Sequence, residues 1–344
     1  MSTASTARAA DTALPTGSQF ELSWAQGEHR TRAVVTAVGA TLRVLEVDGT
    51  ALIEGFAETA APLFCAGQIL VPWPNRVRDG RWTYDGRDLQ LPLTEPDRGN
   101  ALHGFLFALP HEPISQSDSS ITLRAVIAAS DAYPFTLTVD TTYTVGPDGL
   151  TVSHDIRNDG EAPAPAAIGA HPYFRIGDVP TEQLTITVNA TMRVSVDARL
   201  NPTGTAAVAG TAYDLSQGAV VGTLDLDTAY FGLTPGADGT YRHTIAAPDG
   251  RRIELWGDQN YKHTQVFTTQ IFPTPAGLGW AVTVEPTTAP PDALNTGEDL
   301  RWIERADTWH STWGITFVAA AAESEAAAEP DTAAAPEAPE GEFS

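Results

Sequence analysis

Apolar and polar residues alternate along most of this chain in short runs, and the runs end at turn-forming residues. From Phe135 to Val145 the alternation runs for eleven residues; the chain turns through Gly146-Pro147-Asp148-Gly149 and resumes the pattern from Leu150 to Ile156. A period of two marks a half-buried β-strand, because successive side chains point to opposite faces. Arg81-Trp82-Thr83-Tyr84 leads into Asp85-Gly86, with Arg87 to Leu91 following. Asp-Gly suits the two positive-φ positions of a tight turn, so this segment predicts a β-hairpin. Further strand-like runs occupy 184–188, 241–247, 251–256, 263–269 and 280–285. In the last of these, alternation places Val282 and Val284 on one face and Ala281, Thr283 and Glu285 on the other. Pro286 is expected to end the pairing just after Glu285.

No stretch holds a convincing helical period, and the runs are punctuated by 29 Gly and 25 Pro. The expectation is an all-β antiparallel sandwich. No repeat and no linker-like segment interrupts 18–318, which reads as one domain. Residues 1–17 are small and polar, and 319–344 form an acidic Ala/Glu/Pro tract. Both are expected to be disordered, since neither can bury enough surface to offset the entropy of ordering.

Charge narrows the partners. The formal charge is −23, and the C-terminal tract contributes acids without a base. The rest of the chain stays strongly acidic, which disfavours nucleic acid and anionic membranes and suits a small neutral molecule. Cys65 is the only cysteine, so neither an intramolecular disulfide nor a cysteine zinc site is available. The N-terminal stretch lacks the apolar core of a secretory signal, and no apolar run is long enough to span a membrane; a cytoplasmic protein, monomer or homodimer, is expected.

Several chemistries lack their motifs. The phosphate-binding Gly-x4-Gly-Lys-Ser/Thr loop, the dinucleotide Gly-x-Gly-x-x-Gly and the nucleophile elbow Gly-x-Ser-x-Gly do not occur. None of the eight histidines (29, 103, 111, 154, 171, 243, 263 and 310) stands one residue from another, the spacing typical of metal-binding β-barrels. No metal and no cofactor are expected.

Four segments carry polar residues where the local pattern favours something else. In Pro72-Trp73-Pro74-Asn75-Arg76, two prolines stiffen the backbone and present Asn75 and Arg76 as donors, or as ordinary loop residues. In Asn100-Ala101-Leu102-His103-Gly104, His103 is either a satisfied core imidazole or a donor to a ligand. In Gly169-Ala170-His171-Pro172-Tyr173-Phe174, the proline and aromatics around His171 would position its ring and tune its pKa. Glu285 ends the run Trp280 to Glu285 above small residues, as on the floor of a cleft or facing solvent.

Together these segments resemble the aldose 1-epimerase (galactose mutarotase) family over roughly residues 18–318. The resemblance rests on Pro74-Asn75-Arg76 with Gly80 and Tyr84; Asn100-Ala101-Leu102-His103-Gly104; His171-Pro172-Tyr173-Phe174; Leu226-Asp227-Thr228-Ala229-Tyr230; and Val284-Glu285-Pro286 with Asp292 to Asn295. It implies a large antiparallel β-supersandwich and cofactor-free interconversion of the α and β anomers of a free aldose. By the same resemblance Glu285 is the general base at the C1 hydroxyl and His171 the general acid at the ring oxygen. Arg76, His103 and Asp227, with Asn75 beside them, would hold the sugar. Asp227 is preferred over Asp225 because Thr228-Ala229-Tyr230 follows it. Nearby acids are expected to keep the proton on His171. Trp73, Phe174 and Phe267 are candidates to stack on the sugar.

Three other functions share parts of this pattern. An epimerase of hexose 6-phosphates would need a basic cluster, but alternation keeps Arg76, Arg78 and Arg81 from facing one cleft. A non-catalytic carbohydrate-binding sandwich would have no reason to hold both Glu285 and His171. A glycosidase would use Asp227 and Glu285 as its two carboxylates.

Overall fold

The computed structural model describes residues 14–274 and 277–320. The composition-based expectations for residues 1–13 and 321–344 lie outside the described residues. Defined structure is already present at Thr16, which is buried and whose carbonyl accepts a hydrogen bond from Val38 N.

Two large antiparallel sheets dominate. One has nine strands, in the order Glu112–Gln116, Ser120–Ile127, Leu137–Gly146, Gly149–Asn158, Thr308–Val318, Arg252–Gly257, Tyr241–Ala246, Thr185–Val188 and Ala219–Val220. The other runs Pro202–Ala207, Ala190–Val196, Asp227–Leu233, His263–Thr274, Gly277–Thr287, Gly169–Ala170 and Ile69–Leu70. Tyr173–Phe174 also pairs onto the Gly277–Thr287 strand. A four-stranded N-terminal sheet (Gln19–Gln26, His29–Thr36, Leu42–Val47, Thr50–Ala51) packs against the nine-stranded one. One continuous apolar core lies between the layers. This is the all-β sandwich architecture that the alternation predicts.

The core shows why period two suffices. Leu137, Val139, Thr141, Tyr143 and Val145 are all buried on one face of their strand. The polar members of that face find partners. Tyr143 donates its hydroxyl hydrogen bond to Ala40 O at 2.6 Å, and Trp313 Nε1–H donates to His154 Nε2 at 3.1 Å. His154 therefore carries its proton on Nδ1, 3.2 Å from Thr141 Oγ1. The predicted hairpin is present: Arg81–Tyr84 pairs with Arg87–Gln90 around Asp85 and Gly86, both at positive φ.

One local expectation is corrected. Pro286 does not end the strand; pairing continues through Thr264↔Pro286 and His263↔Thr287. A proline removes one donor but keeps an extended φ and its carbonyl, so a single one near a strand end costs only one ladder bond. The face assignment stands. Val282 and Val284 enter the main core, while Ala281 belongs to a separate small cluster with Ala66, Tyr173 and Phe272. Among the described residues, no helix is long and apolar enough to cross a membrane.

Candidate active site

Glu285 lies on the cluster side of the Gly277–Thr287 strand, directly across from Gln265 of the His263–Thr274 strand. Both line a cleft of about 340 Å³, together with Asn75, Arg76, Glu95, Arg98, His103, His171 and Asp227. All six residues singled out in the sequence thus converge on one cavity, from segments more than 200 residues apart in the chain. Its size lies in the range of small-molecule sites.

His171 falls between two short strands and is held through its backbone. His171 N donates to Gln68 O at 3.0 Å, and its carbonyl accepts from Gly67 N at 2.9 Å. Its Nε2 reaches to 3.3 Å from Glu285 Oε1, and the Tyr173 ring tilts against its other side. Glu285 Oε2 is buried and has no partner among the described residues. A buried carboxylate oxygen without a donor is costly unless a ligand or proton supplies one.

Burial sets the protonation of this pair. It pushes Glu285 well above the ordinary carboxylate range, with the Asp227 charge adding to the effect and Arg76 opposing it. It also pushes His171 down to about 4. The expectation that neighbouring acids keep a proton on His171 is therefore corrected, because loss of hydration dominates and the Arg76 charge adds to it. Burial thus favours the neutral form of the pair, carboxylic acid beside imidazole.

His103 and Asn75 form a reciprocal lock. His103 N donates to Asn75 O at 2.9 Å, and Asn75 N donates to His103 Nδ1 at 3.1 Å. With Nδ1 accepting, the proton of this buried, neutral imidazole resides on Nε2 as a donor. Both residues adopt positive φ, which non-glycine residues rarely do. Gly104 follows at φ +72°, where an added Cβ would lie 2.2 Å from Val71 O, so only glycine lets the chain pass.

The Asn75 carboxamide is committed within the protein: Nδ2 donates to Gln265 Oε1 at 3.1 Å, and Oδ1 accepts from Arg76 N at 2.8 Å. Gln265 passes the connection on, donating from Nε2 to Asp227 Oδ1 at 2.5 Å. Asp227 opens its strand, while Asp225 lies before the strand and is exposed. Burial raises the Asp227 pKa above its ordinary value against the pull of Arg76. Arg76 is gripped by Glu95 through two parallel bonds, Nε to Oε2 and Nη2 to Oε1, each 2.9 Å. Its Nη2 also lies 3.6 Å from Asp227 Oδ2.

Neither Arg78 nor Arg81, the other two candidates for a phosphate, lines the cleft. Arg78 pairs with Asp197 and the Pro202 carbonyl, and Arg81 contacts Gln90 on the surface. Of the stacking candidates, Trp73 and Phe174 are buried in the core, whereas Phe267 lines the cleft with Phe64 and Tyr173. Sequence reading missed Gln265, Glu95 and Arg98. Gln265 had a faint signal, a polar residue on the same strand face as Phe267. Among the described residues, the one His/acid group with metal-ligating spacing is His263, Glu298 and Asp299, outside the cleft; Lys262 Nζ sits 2.5 Å from Asp299 Oδ1 there.

Comparison with known proteins gives a consistent picture. The family model described as Aldose 1-epimerase matches residues 22–315. The uncharacterized protein YihR of Escherichia coli (strain K12) is 29% identical over 285 residues, covering 82% of this chain and 88% of YihR. The galactose mutarotase of Rattus norvegicus is 32% identical over 177 residues, 48% of this chain and 49% of that enzyme. Among solved structures, the GalM/aldose epimerase homologue from C. elegans superposes with a TM-score of 0.75 at 20% identity, covering 88% of this chain and all of that one. The galactose 1-epimerase from Lactobacillus acidophilus NCFM gives 0.70 at 19% identity, covering 88% of this chain and 99% of that one.

Proposed function

Since the chain belongs to the aldose 1-epimerase family, we propose that it interconverts the α and β anomers of a free aldose such as galactose or glucose, with Glu285 as base and His171 as acid. The reading is carried above all by one observation. A carboxyl with an unpartnered oxygen and an imidazole 3.3 Å away sit together, desolvated, in a cleft of monosaccharide scale.

The chemistry follows from the pair. Glu285 as carboxylate takes the proton of the O1 hydroxyl, and the electrons of that O–H bond form the C1 carbonyl. The C1–O5 bond breaks, its electrons pass to O5, and His171 as imidazolium protonates O5. Rotation about C1–C2 then presents the opposite carbonyl face, and the reverse proton transfers close the ring as the other anomer. Nothing is consumed and the pair ends as it began. Positioned acid/base groups typically contribute about 10²–10⁴-fold in rate.

Opening converts carboxylate plus imidazolium into carboxylic acid plus imidazole. That second form is the one burial favours in this site. Desolvation thus works in the direction of ring opening, while the Arg76 charge favours the carboxylate needed to begin. His103 Nε2–H and the unshared donors of Arg76 would hold the sugar's oxygens, with Asp227 accepting from a hydroxyl. Asn75 and Gln265 keep these groups in register.

Polarimetry of freshly dissolved α-galactose tests the reading. The protein should accelerate the drift to the equilibrium rotation well beyond the buffer rate. Binding of galactose with an unchanged rate would instead make it a carbohydrate-binding protein without catalysis.

A further inference from the structure

The groups lining the cleft grade from floor to mouth. Side-chain exposure rises from 3% at Glu285 and 7% at His171, through 10% at Arg76 and 12% at Glu95, to 26% at Asp227 and 45% at Arg98. If the buried pair acts on the sugar, its C1–O5 edge must point to the floor. Across a six-membered ring from that edge lie C3 and C4. Their hydroxyls therefore face the mouth, where Arg98 stands on one side and the apolar Phe64 and Ile271 line the cleft with it.

We infer that Arg98 is a specificity-determining residue that donates hydrogen bonds to the 3- and 4-hydroxyls of the sugar. The inference rests on the epimerase reading above and assigns a part of the same cleft to the distal hydroxyls. Of the two cleft arginines, Arg98 is the one whose Nε–Nη2 edge is unspent among the described residues. Arg76 gives both Nε and Nη2 to Glu95, whereas Arg98 spends only Nη1, at 3.1 Å from Glu95 Oε1. Among the described residues its Nε and Nη2 have no partner. These two atoms form the flat edge of the guanidinium, whose parallel donors suit a pair of neighbouring oxygens.

The residue is also held in place before any sugar arrives. Arg98 N donates to Glu95 O, and Glu95 N donates to Asn100 O, closing the turn that carries the side chain. Arg199 Nε pins the same turn by donating to Arg98 O at 2.7 Å. A preset donor loses less freedom on binding than a loose surface arginine would. Galactose and glucose differ at C4, so this contact bears directly on which aldose is preferred.

The test pairs Arg98→Ala with deoxy sugars in a mutarotation assay. Wild-type turnover of galactose and glucose is measured first; its absence would defeat the epimerase reading itself. Given turnover, Arg98→Ala should raise KM for both sugars by about tenfold with kcat within about twofold, as expected for losing a charged hydrogen bond to bound substrate. For 3-deoxyglucose or 4-deoxyglucose the substitution should cost only about twofold. For 6-deoxygalactose, which keeps both hydroxyls, the full loss should return. An equal loss on all sugars, or a fall in kcat, would mean that Arg98 merely braces Glu95 and would overturn the inference, as would an unchanged KM. Arg98→Gln serves the same test should thermal melting show that the alanine variant is poorly folded.

Discussion

Glu285 and His171 share a single proton, and the cleft decides which of them carries it. An isolated pair with ordinary values would give a carboxylate base above about 4.3 and an imidazolium acid below about 6.5, hence a narrow bell of activity. Burial spreads these limits. The pair takes up a second proton only near 4, the value to which His171 is lowered, and gives up its last one only well above the ordinary carboxylate range. Between those limits the carboxylate/imidazolium form and its neutral counterpart have the same net charge, so their ratio does not change with pH. The expected kcat/KM profile is accordingly level through about 6.5, where an ordinary imidazolium acid would be losing its proton. A fall centred near 6.5 would show an exposed-type imidazolium acid and contradict this account. The two residues stood out in the sequence through the proline beside His171 and the strand face of Glu285, and only the resemblance joined them as an acid/base pair. Their protonation was not legible there, because desolvation is a property of the assembled site.

Short elements position these side chains, and they do so through bonds between segments distant in sequence. The segment after the Glu285 strand turns at Asp292, at φ 65°, and ties itself to the Arg76 segment. Asp292 N donates to Arg76 O at 2.7 Å, Arg78 N donates to Asp292 Oδ1 at 3.0 Å, and Asn295 Nδ2 donates to Arg81 O at 2.9 Å. The Asp292 to Asn295 motif is therefore a brace that fixes Arg76 relative to Glu285, not a part of the cleft. Replacing Asp292 with Ala removes the acceptor from a partly buried N–H, at a cost of about 1–3 kcal/mol, and adds a side chain less suited to positive φ. A lowered thermal midpoint together with a raised KM for galactose is expected. A lowered midpoint with unchanged KM would mean that the brace does not set the position of Arg76. Individual strands and the Asp85-Gly86 hairpin could be read from alternation and turn chemistry. The pairing of Gly149–Asn158 with Thr308–Val318, and of Glu95 with Arg76, could not. Such contacts leave no periodic trace, and a polar residue in a turn reads alike whether it meets solvent or an arginine.

At the scale of the molecule, the sandwich buries six of its eight histidines. Burial lowers His103, His111, His154, His171, His243 and His263, with His111, His171 and His243 at about 4 and His154 at about 3. Their native values lie below the unfolded value of about 6.5, so from there down to about 4 the unfolded chain binds more protons. Stability must fall as pH falls through that window, by up to about 1.4 kcal/mol per pH unit for each fully shifted histidine. Glu54, Asp227 and Glu285, raised by burial, act in the opposite sense but are fewer. Relief of acidic self-repulsion, with a formal charge of −23, also favours the acid side. The histidines should prevail: the thermal midpoint is expected to drop between pH 7 and pH 5. A midpoint that rises over the same range would show that net charge governs acid stability instead.

The central claim is that proton transfer through Glu285 opens the sugar ring, and Glu285→Gln tests it most directly. Glutamine keeps the shape of the buried side chain but removes the base. Polarimetry with fresh α-galactose, alongside calorimetric binding of the same sugar, separates chemistry from affinity. The account predicts a variant that still binds galactose but returns the mutarotation rate to within about tenfold of buffer. A rate near that of the unaltered protein would contradict it.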